Sequence, residues 1–266
     1  SRNRGCKLLG QPDLIHTHEN FLMSWDLLLL RNEINYPIVS SCYFFPGFWS
    51  FYLPAGQRFS TWIERFGWSY IIPELNRFDH VIFSTTTQAE IFQAHGLKAP
   101  FTVISNGVDI TGYHPRQERK FFQRGQPGLD DSIEKKYALP PHPRLLFNGR
   151  LAKDKRVDQL ILATAYLQSV AGAHLLLACR GDEQSRLEQV SYQTGVEKSV
   201  HFLGFVPEAD LPAIYRLSDL FVISATCEVQ SIPCLKAVAS GLPIVAVDSG
   251  ALPELVHHGE NGYLVP

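Results

Sequence analysis

A chain of 266 residues is long for one domain and comfortable for two. With 45% hydrophobic residues and a formal net charge of −2, it can bury real cores and carries no global basic field of the kind nucleic acid selects. No apolar run reaches the length of a membrane span and no signal peptide is visible. Five cysteines without short regular spacing argue against a disulfide framework.

The elements alternate from the start. Asp13-Leu14-Ile15-His16-Thr17-His18 is strand-like and Leu22 to Asn32 helical. Pro37 to Ser41 predicts a strand, Thr61 to Phe78 a helix, and His80 to Ser84 a strand. Thr87 to Ala94 then predicts a helix and Phe101 to Ile104 another strand. Short apolar strands alternating with helices imply parallel pairing and an α/β class. Residues 111–143 interrupt this with five prolines, several glycines and mixed charge, which predicts a linker holding one short helix. Its basic run from Arg116 to Arg124 reads as solvated linker.

The second half repeats the pattern more cleanly. Strands are expected at Arg144–Phe147, His174–Ala178, Val200–Leu203, Leu220–Ser224, Pro243–Val247 and Tyr263–Val265. Helices are expected at Val157–Ala171, Gln184–Thr194, Ala209–Leu217, Ile232–Ser240 and Pro253–His258. Two doubly wound domains joined by a linker is the economical architecture, with ligands beyond the carboxyl ends of the strands. A strand by residue 13 and a stop directly after a strand lead to the expectation that both ends are cut. Cys42, Cys179, Cys227 and Cys234 lie in or beside apolar segments, so buried free thiols in a reducing compartment are expected.

Two stretches of the second half carry chemistry. Gly149-Arg150-Leu151 follows the first strand, and Lys155 comes five residues after Arg150, at the expected start of a helix. The glycine permits a tight turn, and the two cations would project from the strand's carboxyl end toward a diphosphate. Cations at a helix N-terminus are mildly unfavourable unless an anion joins them, which weighs against a pair of idle surface charges. Glu228-Val229-Gln230-Ser231 lies between a strand end and the helix starting near Ile232. The backbone N–H groups of that first turn form an anion site, and Glu228 is placed to accept from sugar hydroxyls. Ser231 also suits a plain N-cap, a role compatible with phosphate binding.

Further motifs follow: Gly241-Leu242-Pro243, Ala251-Leu252-Pro253-Glu254-Leu255-Val256 and Asn261-Gly262-Tyr263-Leu264-Val265. Together with Asp13 to His18 and Ser105-Asn106-Gly107-Val108-Asp109, their order resembles a family 4 glycosyltransferase. The nearest subgroup is that of glycolipid-forming glucosyl- and mannosyltransferases. The resemblance covers residues 12–112 and 143–266. It implies a GT-B fold of two Rossmann-like domains facing a cleft: residues 1–110 on the acceptor side and incomplete, 111–142 as linker, and 143–266 binding the donor. It implies donor contacts from Gly149, Arg150, Lys155, Glu228, Gln230, Ser231 and Ile232, with Glu228, Arg150, Lys155 and His18 in catalysis. The expected activity is hexose transfer with retention from a UDP- or GDP-linked sugar to a lipid or saccharide acceptor. No cofactor and no metal are expected, no nucleic acid partner, and a cytoplasmic location with peripheral contact at the inner face of the membrane.

The departures matter as much. A second Glu implied to hold ribose falls on Lys236, a cation that would instead pair with a phosphate or with Glu228. A His implied near the reacting sugar, three residues before a proline, falls on Tyr43, and a phenol cannot be cationic. The family's opening strand, its glycine-rich loop and its C-terminal crossing helix are absent. Tyr43 and Lys236 support a rival reading, a nucleotide-sugar-binding relative without activity. A sugar-nucleotide epimerase of the same shape is a third reading, with no catalytic carboxylate set to argue for it.

Tyr43 to Tyr70 is crowded with rings, interleaved with Arg58 and Arg65. One reading is a lipid-facing surface for an amphiphilic acceptor. The other packs Trp62, Phe66 and Ser69 inward. His16 and His18 are expected on opposite sides of their strand, with His16 packed and His18 at the cleft. His257 and His258 are expected at a helix end.

Overall fold

The computed structural model describes residues 12–18, 22–29, 31, 36–46, 57–115 and 129–266. It divides into two compact units between Asn106 and Gly107.

The first unit holds β1 (Ile15–Thr17), α1 (Leu22–Leu29), β2 (Ile38–Cys42), α2 (Gln57–Leu75), β3 (His80–Phe83), α3 (Thr86–Ala94) and β4 (Phe101–Val103). The strands pair in parallel in the order β1-β2-β3-β4. Ile38, Val81, Phe83 and Phe92 are fully buried, which is what apolar runs flanked by helices produce. Thr85 caps α3 by accepting from the Gln88 N–H at 3.3 Å. Helix α2 starts earlier than its pattern predicts and stops sooner. Pro73 removes one N–H near its end, and Asn76 turns out to accept from the Lys98 and Ala99 N–H groups at 2.5 and 3.1 Å.

Glu74 on α2 is fully buried, and burial pushes its pKa to about 7, opposed in part by the Ser24 hydroxyl. Unfolded, a glutamate titrates near 4.5, so between the two values the folded chain keeps a proton that the unfolded chain has lost. Stability therefore falls as pH rises through that window. Glu74→Gln is expected to change little below pH 4.5 and to stabilise this unit by about 3 kcal/mol above pH 7. All four tryptophans (Trp25, Trp49, Trp62, Trp68) precede Asn106, so tryptophan fluorescence in urea reads this unit alone. An equal shift at both pH values would refute the assignment.

The second unit contains α4 (Leu129–Lys136), β5 (Arg144–Phe147), α5 (Val157–Ala171), β6 (His174–Leu177), α6 (Gln184–Gln193), β7 (Val200–Phe202), α7 (Leu211–Arg216), β8 (Leu220–Ile223), α8 (Ile232–Ala239), β9 (Ile244–Val247) and β10 (Gly262–Val265). All six strands are parallel, in the order β10-β9-β8-β5-β6-β7. The order reverses next to β5 and β8, and in such sheets the ligand crevice lies outside that switch point. Helix α4 is the short helix expected in the linker, and it is tied to α7. Asp130 pairs with Arg216 at 2.9 Å, and Lys136 and Tyr137 bond Asp210 at 2.6 and 2.7 Å.

The helix expected at Pro253–His258 does not form. Only a 3-10 turn, Leu252–Glu254, is present. Asn261 supplies the reason: its side chain accepts from the His257 N–H at 2.7 Å and donates to the Leu255 carbonyl at 2.9 Å, taking bonds a helix would need. Cys42, Cys179 and Cys234 are buried, Cys227 half-buried, and none of these is in a disulfide. Burial pushes the thiols of the first three up to about 12, so they are inert packing groups.

Candidate functional site

The carboxyl ends of β5 and β8 and the start of α8 enclose a cleft of about 230 Å³. Gly149, Lys155, Glu228, Gln230, Ser231 and Ile232 line it, with Asn148 and Phe147 beside them. Of the seven residues expected to hold a donor, only Arg150 is outside this lining. Its half-exposed guanidinium turns toward Asp154, 3.8 Å away.

Lys155 is in a 3-10 turn, Lys153–Lys155, rather than at a helix start. Arg156 takes the left-handed conformation (φ 47°) before α5 begins. Ser224, just past β8, donates to the Lys155 and Arg156 carbonyls at 2.9 Å each and fixes that turn to the strand end. The Lys155 ammonium is 2.7 Å from Glu228 Oε1 and 3.1 Å from the fully buried Asp154. Burial pulls its pKa down, but the Glu228 and Asp154 carboxylates outweigh this and the net shift is upward, so it is a firm cation.

Two glycines let these backbones close up. A Cβ on Gly181 would sit 2.1 Å from the Leu151 carbonyl oxygen, so only glycine lets the end of β6 pass the Gly149-Arg150-Leu151 loop. Gly250, at φ +59°, would place a Cβ 2.9 Å from the Glu228 carbonyl oxygen, the same oxygen that accepts from the Ala251 N–H at 3.2 Å. The motif around Ala251 therefore holds Glu228 in place from behind.

Ser231 caps α8, accepting from the Cys234 N–H at 3.3 Å. Pro233 has no N–H to offer. With one amide absent and another spent on the cap, Lys155 carries more of the attraction for an anion than a count of amides from the sequence implies. Beneath the cleft, the buried Tyr215 hydroxyl accepts from Asn148 Nδ2 at 3.1 Å and donates to the Pro233 carbonyl at 3.2 Å. It ties the β5 loop to α8, and sequence reasoning missed it because a lone Tyr in an apolar helix gives no local signal.

Lys236 does not pair with Glu228, whose cation is Lys155. It bonds Glu208 instead, at 2.7 and 3.0 Å. In the first unit, His16 and His18 lie on one side of β1, their ring centroids 4.2 Å apart, because residues two apart share a strand face. His16 is exposed rather than packed and donates to or accepts from Ser41 Oγ at 2.9 Å. His18 stacks on Tyr43, centroids 6.2 Å apart and planes within 4°. Trp62 and Phe66 do not pack inward. They are 60% and 62% exposed and stack on each other beside Arg65. Among the described residues no group of three or more His, Cys, Asp or Glu could hold a metal ion, and no helix is long and apolar enough to cross a membrane.

A doubly wound parallel unit with a lysine–glutamate pair at its switch point, beside a capped helix start, defines an α/β protein with its ligand crevice at the carboxyl ends of its strands. The chain belongs to the family described as glycosyl transferases group 1, which matches residues 130–266, and Glycosyltransferase Family 4 matches residues 3–111. A GDP-mannose-dependent alpha-(1-6)-phosphatidylinositol monomannoside mannosyltransferase of Mycobacterium tuberculosis is 29% identical over 190 residues, 68% of this chain and 47% of that protein. A D-inositol 3-phosphate glycosyltransferase of Nocardia farcinica is 26% identical over 276 residues, 99% of this chain and 57% of that protein. The chain thus spans about half the length of these relatives. The structure of Anabaena Alr3699/HepE in complex with UDP and glucose shares the fold, with a TM-score of 0.77 at 24% identity, covering 99% of this chain and 67% of that one. The fold is therefore of the GT-B type.

Proposed function

We propose that this chain transfers a hexose from a UDP- or GDP-linked sugar to a lipid or saccharide acceptor, with retention at the anomeric carbon and without a metal. The observation that carries the reading is the 2.7 Å Lys155–Glu228 pair inside the cleft that Gln230, Ser231 and Ile232 line. Lys155 supplies charge for a leaving diphosphate, with Arg150 at the rim. Cations placed where negative charge develops lower the barrier without reorganising at the moment of reaction. Glu228 accepts from sugar hydroxyls and fixes the ring's orientation. The acceptor and any membrane contact fall to the first unit, where His18 is exposed and Trp62, Phe66 and Arg65 form an amphipathic surface. A cytoplasmic location with the inner membrane face in reach follows from the same reading.

The second reading, binding without turnover, rests on Tyr43, whose ring stacks on His18 where the resemblance implies a histidine. One experiment separates them. The chain is titrated calorimetrically with UDP-glucose and GDP-mannose, each beside its free nucleoside diphosphate, and donor hydrolysis is followed in the same samples. Saturable binding of one nucleotide-sugar with slow release of its sugar is the expected result. Binding with no release supports the inactive relative, and a folded sample that binds neither refutes the donor site.

A further inference from the structure

Lys236 lies four residues after Ile232, and residues four apart share a helix face. It is thus one turn, ~5 Å, along α8 from the cleft. Its ammonium grips both oxygens of Glu208, at 2.7 Å to Oε1 and 3.0 Å to Oε2. The Tyr113 hydroxyl donates to the same Oε1 at 2.6 Å, and the ammonium sits 4.8 Å from the Tyr113 ring centre. Tyr113 is 3% exposed and meets Tyr215 edge-on at 5.5 Å. Tyr215, whose hydroxyl ties Asn148 to Pro233 beneath the cleft, therefore also supports the ring that anchors Glu208.

Glu208 is nevertheless 68% exposed. Lys236 and Tyr113 are only 16% and 3% exposed, so the ammonium and the hydroxyl hold this solvent-facing carboxylate from the protein side. Among the described residues its Oε2 takes one hydrogen bond, and a carboxylate oxygen has two lone pairs. What is presented is a rigid acceptor whose outer face is open to solvent.

We propose that Glu208 accepts a hydrogen bond from a ribose hydroxyl of the bound nucleotide, held for that task by Lys236 and Tyr113. The inference rests on the reading of the cleft as a diphosphate site. The ribose is joined directly to the diphosphate, so a phosphate at Lys155 and the start of α8 brings the ribose within about a helical turn. Lys236 does two things there. It fixes the carboxylate before the ligand arrives, which lowers the ordering cost of binding. It also cancels the carboxylate's charge, which would otherwise repel the diphosphate. Burial pushes the Glu208 pKa up, but the bonds from Lys236 and Tyr113 outweigh this and hold it below the usual range, so the group is ionised at neutral pH.

The test compares UDP and GDP with their 2′,3′-dideoxy counterparts by calorimetry, on the unaltered chain and on Glu208→Gln. The unaltered chain is expected to prefer the ribose form about tenfold, equal to ~1.4 kcal/mol. Glu208→Gln keeps an acceptor oxygen but gives up the charge, so it is expected to narrow the ribose preference to about threefold and to strengthen binding of the dideoxy form, because Lys236 is then no longer neutralised. Lys236→Met is expected to weaken both forms, because the carboxylate then faces the diphosphate unneutralised. A ribose preference undiminished in Glu208→Gln, or none in the unaltered chain, overturns this inference alone. Failure of the unaltered chain to bind either diphosphate overturns the donor site as well.

Discussion

Lys155→Ala is expected to weaken binding of a nucleoside diphosphate by about a hundredfold while leaving the affinity for the nucleoside unchanged. The Lys155 side chain is 19% exposed and faces Glu228 and Asp154, which are 13% and 1% exposed. Removing it deletes the cation that meets the phosphates and leaves two carboxylates pointing into the same space. Loss of one partner from a buried, hydrogen-bonded charge pair costs roughly 2–5 kcal/mol, and much of that is the unpaired charge left behind. The variant should therefore also melt earlier, so Lys155→Arg serves as the control. It keeps the charge and is expected to recover the fold and a part of the affinity, since an ammonium and a guanidinium are not interchangeable at a tight site. Calorimetry with UDP and GDP, each beside uridine and guanosine, reads the result. Equal losses for diphosphate and nucleoside in a folded variant would remove Lys155 from the diphosphate.

The parts of this chain that were legible in its sequence are those whose physics is local. Buried parallel strands read as apolar runs, so β5, β6, β8 and β9 fall where Leu145, Leu175, Phe221 and Ile244 place them. The stretch from Glu228 to Ile232 was legible because a strand end, a loop and a capped helix start are contiguous there. The departures were visible too, but their partners were not. Glu208 is 28 residues from Lys236 and 95 from Tyr113, and only the way α8, the loop after β7 and the segment after Gly107 fold together joins them. Asp154 carries no mark in the sequence of being wholly buried between two cations. The helix missing after Leu252 was lost to one side chain, Asn261, whose preference for backbone groups a hydrophobic pattern does not show. His16 in β1 and His18 just past its end required only a correct count: positions two apart share a face.

Glu228→Gln is expected to move the two halves of a nucleotide-sugar in opposite directions. In the resting cleft Glu228 occupies the ammonium that a diphosphate would use, at 2.7 Å. A diphosphate must therefore displace a carboxylate to reach Lys155, and the Glu228 side chain must turn from the ammonium toward the hexose. The amide keeps the shape but gives up the charge, so Lys155 is released at no cost to packing. Free UDP or GDP should then bind severalfold more tightly, a gain of about 1 kcal/mol. The hexose loses its charged acceptor, and hydrogen bonds to charged groups are worth about 1.5–3 kcal/mol. Transfer or hydrolysis of the intact donor should accordingly fall by about a hundredfold at saturating donor. The two readings, taken on one variant, distinguish a carboxylate that orients the sugar from one that merely balances Lys155. In the latter case diphosphate affinity rises and donor turnover does not fall.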